Sequence, residues 1–182
     1  MPWRSVLALF AAAASLFSAP ATAQGERHEE GWLAAHNAAR GQFGAVPLEW
    51  DENLAAEARA WAQRLARENT LRHSSQIERR SRGENLWMGT RGAYSPAAMI
   101  AAFTDEARHF TPGAFPNVSR TGNWADVGHY TQIVWPDTRK VGCALASNRA
   151  FDVLVCRYWP AGNVWGEVIA APRRVARSYA PN

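Results

Sequence analysis

The most informative segment of the chain is Gly128-His129-Tyr130-Thr131-Gln132-Ile133-Val134-Trp135, and Val141-Gly142-Cys143-Ala144 follows it closely. The first segment is rich in aromatic and β-branched residues, so it predicts a strand with a flexible glycine in front of it. On a strand, side chains alternate between two faces, which places His129 on the same face as Ile133 and Trp135. A histidine at the mouth of a strand suits a cleft-lining role, although a single strand histidine also serves a purely structural one.

Residues 1–23 have the organisation of a secretory signal peptide. Arg4 provides a positive n-region, residues 6–17 form an apolar stretch, and Ala21-Thr22-Ala23 is a small-x-small cleavage site. The apolar stretch is too short for a stable transmembrane span, and we find no other stretch that could cross a membrane. We therefore expect an exported protein, secreted or periplasmic, that begins near Gln24, with an uncleaved anchor as the alternative.

The remainder of the chain, residues 24–182, is expected to form one domain that buries about two thirds of its unfolded surface. Removal of the leader takes away Arg4 and lowers the formal net charge from +4 to +3. A basic exported protein favours anionic envelopes or polysaccharides as partners, although this charge is small and a preference for Arg over Lys also reflects genome composition. Without an organised basic stripe, nucleic acid is not an expected partner.

The two cysteines, Cys143 and Cys156, are predicted to form a disulfide. Segments 141–147 and 151–159 are strand-like and are separated by a short turn. If the turn centres on Arg149-Ala150, the cysteines face each other directly, roughly 4.5–5.5 Å apart at Cα and within disulfide reach. The bond would contribute on the order of 3 kcal/mol in the oxidising compartment that export implies. Two buried free thiols are the alternative.

Helical periodicity predicts three helices in the first two thirds of the chain. The first covers 30–40, and the second covers about 51–69 with Asp51 as its N-cap. The third covers 96–110, because Ser95-Pro96 combines an N-cap serine with a proline in the first helical position.

The segments around these helices are predicted to be less regular. Residues 24–30 are polar and are expected to form a flexible N-terminus, and the Arg-rich run 79–82 is interpreted as a solvated loop. A final short strand is expected at 164–170. The basic, proline-flanked segment 172–182 is expected to be a disordered tail.

Four ionisable residues are candidates for a functional site: His73, Glu84, Glu106 and His129. Glu106 falls on the buried stripe of its predicted helix, where a carboxylate is costly unless it is paired. The separations between the four follow no local metal-ligand spacing. On their chemistry alone they could form a zinc or other divalent metal site, an acid–base site, or two structural His–Glu pairs.

Several ordered motifs resemble the signatures of the CAP superfamily, which includes the cysteine-rich secretory proteins, antigen 5 and the pathogenesis-related-1 proteins. The two segments quoted first resemble the main signature of that family. Four further motifs agree, namely His36-Asn37-x-x-Arg40 with Pro47-Leu48-x-Trp50, His73-Ser74, Gly83-Glu84-Asn85-Leu86, and Cys156-x-Tyr158-x-Pro160-x-Gly162-Asn163. The residues expected to have structural roles within the motifs are His36, Asn37, Arg40, Asn85, Tyr130, Gln132 and Gly142.

The resemblance implies an α+β fold, namely a three-layer α-β-α sandwich with a central, mostly antiparallel sheet, in one CAP/SCP domain over 31–171. It also implies a cleft with a His/Glu tetrad, which motif matching places on His73, Glu84, Glu106 and His129. In several relatives a divalent metal, often zinc, lies on the two histidines, so His73 and His129 are candidate metal ligands. Phe103 and Phe110 stand where the family usually has Trp and Tyr, which keeps the packing and loses the polar atoms.

Three functional hypotheses follow. The first is an exported, non-catalytic, monomeric protein that binds a lipid- or sterol-like molecule, an envelope component or a divalent metal such as zinc in the cleft. The second is a metal-dependent hydrolase or protease in which Glu84 or Glu106 activates a water. The third is a purely structural tetrad with an unidentified partner surface. The sequence has no nucleophile elbow or zincin helix, so an enzyme is the less favoured reading.

Overall fold

The computed structural model describes residues 21–170, so most of the predicted signal peptide and the whole predicted tail 172–182 lie outside the described residues. The helices are Ala21–Phe43 (α1), Glu52–Glu68 (α2), Pro96–Thr104 (α3) and Gly128–Val134 (α4), with short 3-10 helices at Asp105–His109 and Trp124–Asp126. The strands are Glu49–Trp50 (β1), Gly83–Thr90 (β2), Gly113–Ala114 (β3), Lys140–Ser147 (β4), Phe151–Trp159 (β5) and Val168–Ile169 (β6).

The central sheet has the strand order β1-β4-β5-β2. β1 runs parallel to β4, whereas β4 and β2 both run antiparallel to β5. β3 and β6 pair with each other in a separate two-stranded sheet. The prediction of a central, mostly antiparallel sheet is therefore confirmed.

Helices cover both faces of this sheet. Successive residues of β5 point to opposite faces, and the strand is buried on both. Val155 belongs to the cluster formed with α2, which includes Trp61. Its neighbour Cys156 belongs to the cluster formed with α1, α3 and α4, which includes Trp32 and Ile133. This arrangement is the predicted three-layer α-β-α sandwich. Within the described range, no helix combines the length and the apolar character that a membrane span requires.

The β4–β5 hairpin has the predicted register, with Cys143 directly opposite Cys156. The two residues form a disulfide, and their Cα atoms are 4.1 Å apart. Asn148 organises the turn, because its side-chain oxygen accepts hydrogen bonds from the amides of Ala150 and Phe151, each at 2.8 Å. The disulfide prediction is confirmed, and the alternative of two free thiols is excluded.

Helix α2 begins where the sequence predicts. Asp51 is its N-cap, and the carboxylate accepts hydrogen bonds from the amides of Asn53 and Leu54 at 3.0 and 3.1 Å. The first turn lies so close to β4 that a Cβ atom on Gly142 would fall 2.2 Å from the amide nitrogen of Ala55. A glycine is required at this position because backbone atoms of α2 occupy the space of a side chain.

The prediction of a strand over 128–135 is wrong, because the structure has helix α4 there. Aromatic and β-branched residues favour strands by only about 1 kcal/mol, and this preference changes with tertiary context. On a helix, Tyr130, Ile133 and Val134 lie on one face, and all three are buried. Burial of this apolar face, together with charged partners at both helix ends, outweighs the local preference.

Helix α3 begins as predicted, since Ser95 accepts a hydrogen bond from the amide of Ala98 and Pro96 lies in the first turn. It ends at Thr104 rather than at 110, and the tighter 3-10 helix Asp105–His109 follows it. Glu106 lies on this 3-10 helix. Its carboxylate reaches the first residues of α4 and therefore gains hydrogen bonds that a solvent-exposed position would not offer.

Two further boundaries differ from prediction. Among the described residues α1 covers Ala21–Phe43, so the segment 24–30, predicted to be flexible, is helical. Good helix formers, namely Gln, Glu and Arg, predominate in this segment, and they extend α1 without an apolar stripe of their own. The strand predicted over 164–170 is limited to Val168–Ile169, because these are the residues that pair with Gly113–Ala114.

The substitution Gly142→Ala should destabilise the fold by about 3 kcal/mol, because the new methyl group overlaps the backbone of α2 and forces it away from the sheet. The matched control is Gly41→Ala, since a Cβ atom on this helical glycine meets nothing within 4 Å. The control should be neutral or slightly stabilising. Urea unfolding of both variants measures the difference, and equal stabilities would contradict the close approach of α2 to β4.

Candidate functional site

A cleft of about 520 Å³ lies beside the start of β2 and the N-terminal end of α4. Its volume is within the range of small-molecule binding sites. Three tetrad residues, His73, Glu84 and His129, line the cleft. Glu106 is not among the lining residues and contacts the site through the ring of His129. The structure therefore brings the four predicted residues together as two His–Glu pairs.

The first pair joins an exposed imidazole to a buried carboxylate. Nδ1 of His73 donates to Oε1 of Glu84 at 2.6 Å, so Nδ1 carries the ring hydrogen and Nε2 keeps a free lone pair. The side chain of His73 is 54% exposed, whereas that of Glu84 is 0% exposed. The buried carboxylate thus sets the orientation of a ring that faces solvent.

Glu84 is held by three further contacts. The amide of Ser74 donates to Oε1 at 3.0 Å, and the Ser74 hydroxyl donates to Oε2 at 2.9 Å. Nη1 of the buried Arg157 lies 2.9 Å from Oε2. Burial by itself raises the pKa of Glu84, but the hydrogen bond from His73, the charge of Arg157 and the hydrogen bond from Ser74 outweigh it, and the pKa is lowered. Glu84 is therefore ionised at neutral pH, with both oxygens engaged.

The second pair repeats this geometry at the start of α4. Nδ1 of His129 donates to Oε1 of Glu106 at 2.6 Å. The other carboxylate oxygen accepts from the backbone amides of His129 and Tyr130 at 2.9 and 3.0 Å. Glu106 therefore orients the imidazole and also supplies acceptors for unpaired amides at the positive end of the helix.

The opposite end of α4 is held by Arg40, which is fully buried on α1. Its Nη1 donates to the carbonyls of Ile133 and Trp135 at 2.7 and 2.9 Å. The same guanidinium donates to the carbonyls of Val46 and Thr138. The pKa of Arg40 is lowered to about 10, mainly because the side chain is buried and to a smaller extent because Arg139 is also positively charged. The side chain therefore remains charged at neutral pH. The carbonyl end of α4 thus receives a cation, as the helix dipole favours.

A buried hydrogen-bond chain connects α1 to His129. Nδ1 of His36 donates to the carbonyl of Trp32 at 2.7 Å, and Nε2 accepts from the Tyr158 hydroxyl at 2.8 Å. Asn85 donates through Nδ2 to that hydroxyl oxygen and to the carbonyl of His129, both at 3.1 Å. The chain requires neutral His36, because its Nε2 must act as the acceptor.

Two amide side chains complete the framework of the predicted motifs. Asn37 bonds to both backbone groups of Leu48, at 3.0 Å to the carbonyl and 2.7 Å to the amide, which determines how the chain leaves α1. Gln132 accepts a hydrogen bond from the amide of Gly162 at 3.0 Å. A Cβ atom on Gly83 would lie 2.1 Å from Oε1 of Gln132, so a side chain at this position would displace the Gln132 amide.

Phe103 and Phe110, which stand where the resembled family usually has Trp and Tyr, both pack against aromatic rings. Phe103 stacks on the ring of His129, with centroids 4.8 Å apart and an interplanar angle of 20°. Phe110 packs edge-on against Tyr130, with centroids 5.5 Å apart. Both phenylalanines therefore support the α4 side of the site through ring contacts and need no polar atom.

The tetrad offers two free ligand atoms to the cleft, the Nε2 atoms of His73 and His129. Among the side chains that the structure describes, one set of three potential ligand atoms lies within 4.8 Å of one another, and it belongs to His36, Cys143 and Cys156. The two sulfur atoms of that set form the disulfide. Two imidazoles of the cleft lining are thus each oriented by a carboxylate on the other ring nitrogen, which is the usual chemistry of histidines that bind metals.

Sequence reasoning missed the residues that surround the tetrad. Arg157 faces Glu84 directly in the β2–β5 register, and this pairing of opposite charges was not visible before the strands were aligned. Arg79 and Arg82 lie in a loop as predicted, and that loop also lines the cleft. The exposed aromatic residues that also line the cleft are Trp124 and Trp165, which no motif had singled out.

The fold and the motif residues define a member of the cysteine-rich secretory protein family. The sequence matches this family, named CAP, over residues 33–158, and the chain belongs to it. Pathogenesis-related protein 1A of Nicotiana tabacum is 35% identical over 143 residues, which cover 78% of this chain and 80% of that protein. Pathogenesis-related protein 1 of Arabidopsis thaliana is 34% identical over 159 residues, which cover 87% of this chain and 91% of that protein.

The fold is also similar to solved structures. The crystal structure of NaASP2 with Zn2+ superimposes with a TM-score of 0.66 and 24% identity, covering 86% of this chain and 91% of that chain. This likeness supports the architecture described above. The fold class and the family that the motifs imply are confirmed.

Protonation of His36 should destabilise the protein in mildly acidic solution. Burial lowers the pKa of His36 from 6.5 to about 4, so between these values the unfolded chain binds a proton that the folded protein does not. The contribution of neutral His36 to the free energy of unfolding is therefore complete above pH 6.5. It falls by on the order of 3 kcal/mol as the pH decreases towards 4. An NMR titration of the imidazole should give a midpoint near pH 4. A midpoint near 6.5 would contradict the buried hydrogen-bond chain.

The substitution Glu106→Gln should destabilise the protein by about 1–3 kcal/mol, because it removes a charged acceptor from the amides of His129 and Tyr130. Asp105→Asn is the matched control, since it removes the same charge from an exposed neighbour on the same 3-10 helix. The control should remain within about 0.5 kcal/mol of the wild type. Thermal unfolding at neutral pH measures both, and an equal loss in the two variants would show that the contact with α4 is unimportant.

Proposed function

We propose that the protein is an exported, non-catalytic binding protein whose cleft binds a divalent metal ion, with zinc as the first candidate, on His73 and His129. One observation carries this proposal. Each imidazole donates through Nδ1 to a carboxylate at 2.6 Å, so each keeps a free Nε2 lone pair at the cleft. Histidines that bind metals generally donate their other ring hydrogen to a carboxylate, a carbonyl or a water.

Two imidazoles provide only part of a coordination shell, so an ion in this cleft keeps positions open for other ligands. A bound ion would supply a positive charge that attracts and polarises oxygen atoms of a ligand. The residues of the chain hold the imidazoles: Glu84 and Glu106 orient the rings, and Phe103 supports His129. The crystal structure of NaASP2 with Zn2+ supports zinc as the ion to test first.

The state of the two carboxylates favours binding over hydrolysis. A general base needs a free lone pair within hydrogen-bond reach of the proton it removes. The side chain of Glu84 is completely buried, and both of its oxygens already accept hydrogen bonds. Glu106 does not line the cleft, and its carboxylate is turned to the ring of His129 and to two backbone amides. The water-activating role that the hydrolase hypothesis gives to these residues is therefore disfavoured.

The hypothesis of a purely structural tetrad differs in one measurable respect. The His73–Glu84 pair joins the loop after α2 to β2, and the His129–Glu106 pair joins the 3-10 helix to α4. Both pairs stabilise the fold whether or not an ion is present. Only stabilisation that depends on added metal separates a binding site from a structural device.

The remaining parts of the proposal concern location and the organic ligand. The disulfide suits an oxidising compartment, and the chain belongs to a family described as secretory, so we propose export through the predicted signal peptide 1–23. A lipid- or sterol-like ligand stays a prediction of the resemblance. The polar tetrad and the arginines along the cleft favour a polar ligand over a sterol.

Zinc binding is tested by thermal unfolding of protein purified without an affinity metal. A ligand that binds the folded state stabilises it by about 2.7 kcal/mol at one hundred times its dissociation constant. The wild type should therefore show a melting temperature that rises with zinc concentration. The variant His73→Ala/His129→Ala should show no rise.

The matched control is His28→Ala/His109→Ala, which removes the same number of imidazoles away from the cleft and should respond to zinc as the wild type does. No zinc response in the wild type, with a lower melting temperature in the tetrad variant, would favour the structural hypothesis. A product that accumulates with time from ester or peptide substrates, and disappears in Glu84→Gln, would favour the hydrolase.

A further inference from the structure

We propose that the cleft binds an acidic saccharide, in which a sugar ring stacks on exposed tryptophan and a carboxylate on that sugar pairs with arginine. This inference rests on the proposed ligand-binding cleft and names the class of its organic ligand. Two groups of lining residues carry it. We call Arg79 and Arg82 the arginine wall, and Phe115, Trp124 and Trp165 the aromatic wall.

The arginine wall has hydrogen-bonding capacity that the protein does not use. Nη1 of Arg79 lies 3.8 Å from Oε1 of Glu84, and Nε of Arg82 lies 3.6 Å from Oε2 of Glu57. Both separations are longer than a hydrogen bond. The Nε atoms of Arg79 and Arg82 have no hydrogen-bond partner in the described part of the chain. Both Nε atoms are buried, so a ligand would meet the other N–H groups of these incompletely paired guanidiniums in the cleft lining, and such donors are suited to an anionic oxygen.

Glu84 does not neutralise Arg79 fully, because the carboxylate already accepts hydrogen bonds from His73 and Ser74 and pairs with Arg157 at 2.9 Å. The guanidinium of Arg82 lies over the ring of Trp159, with 4.8 Å from Cζ to the ring centroid, which restricts its position. The arginine wall therefore presents positive charge from side chains that neighbouring groups keep in place. A planar guanidinium matches the geometry of a carboxylate.

The aromatic wall exposes large rings that are nevertheless held in position. Trp124 and Trp165 are 41% and 69% exposed, whereas Phe115 is buried. The ring of Phe115 contacts both indoles, with centroids 5.4 Å from Trp124 and 6.0 Å from Trp165. Both indoles meet the buried ring edge-on, so Phe115 holds them in place at the cleft, where the exposed face of an indole suits stacking with a rigid ring.

The tetrad adds polar atoms to the lining of the same cleft. The free Nε2 atoms of His73 and His129 can accept hydrogen bonds from hydroxyl groups. A pyranose that carries a carboxylate combines an apolar ring face, several hydroxyl donors and a negative charge. It therefore matches the three kinds of lining group. An alkyl chain would leave the arginine wall and the imidazoles without partners.

The test uses trigalacturonate and its fully methyl-esterified form as matched probes, because esterification removes the charge and keeps the rings. Isothermal titration calorimetry is done in the presence of a chelator, so that binding does not depend on metal. The charged probe should bind saturably and at least tenfold more tightly than the ester. Its affinity should fall as salt concentration rises, since salt screens the exposed part of the ion pair.

Two cleft variants locate the site. Arg79→Gln/Arg82→Gln should weaken binding of trigalacturonate at least tenfold, and Trp165→Leu should weaken both probes. Arg59→Gln is the charge control, because Arg59 is exposed on α2 and does not line the cleft. In the wild-type protein, the indole N–H signals of Trp124 and Trp165 should shift on titration. This measurement needs no variant and therefore remains valid if a variant fails to fold.

Equal affinity for the charged and esterified probes, or an equal loss in Arg59→Gln, would overturn the proposal. Absence of saturable binding of trigalacturonate would overturn it as well. The zinc response of the wild type is measured separately and depends on the imidazoles. A protein that responds to zinc and ignores trigalacturonate would refute the saccharide alone, whereas the reverse result would refute the metal site alone.

Discussion

Helix α4 is only seven residues long, and it is held at both ends by groups of opposite charge. The carboxylate of Glu106 accepts hydrogen bonds at its amino end, and the buried guanidinium of Arg40 donates to its carboxyl end. Both signs match the helix dipole. Short helices are marginal in water, so these contacts, together with the burial of Ile133 and Val134, account for a helix where local preference favours a strand.

The position of His129 follows directly from this arrangement. Glu106 binds the first amides of α4 and the ring of His129 with the same carboxylate, so the support of the helix and the orientation of the imidazole are one interaction. In the other His–Glu pair of the site, Glu84 is paired with Arg157 and orients His73 from within the core. Glu84 on β2 and Glu106 on the 3-10 helix thus each bind Nδ1 of a histidine, and Nε2 is the free nitrogen in both rings.

The cleft combines these imidazoles with two walls of different chemistry. The arginine wall comes from the loop before β2, and the aromatic wall comes from the loops around Phe115 and Trp165. Buried groups anchor these loops to the sandwich. The exposed side chains of the loops can therefore be substituted without disturbing the core. The proposed metal and saccharide functions therefore share the two imidazoles, whereas the arginine wall and the aromatic wall serve the saccharide alone.

The sequence by itself determined the elements whose signals are local. Asp51 predicts the start of α2, Ser95-Pro96 predicts the start of α3, and the spacing of Cys143 and Cys156 predicts the hairpin register and the disulfide. These features depend on residues close together in the chain. Motif resemblance added the family, the layered fold and the identity of the tetrad residues.

Only the tertiary structure decided that 128–134 is a helix, that each histidine is bound through Nδ1, and that arginine and tryptophan side chains share the cleft. The physical reason is the distance along the chain between the interacting groups. Arg40 and Ile133 are 93 positions apart, and Glu106 and His129 are 23 apart. No local propensity encodes such contacts, and they become available only when the layers of the sandwich have packed.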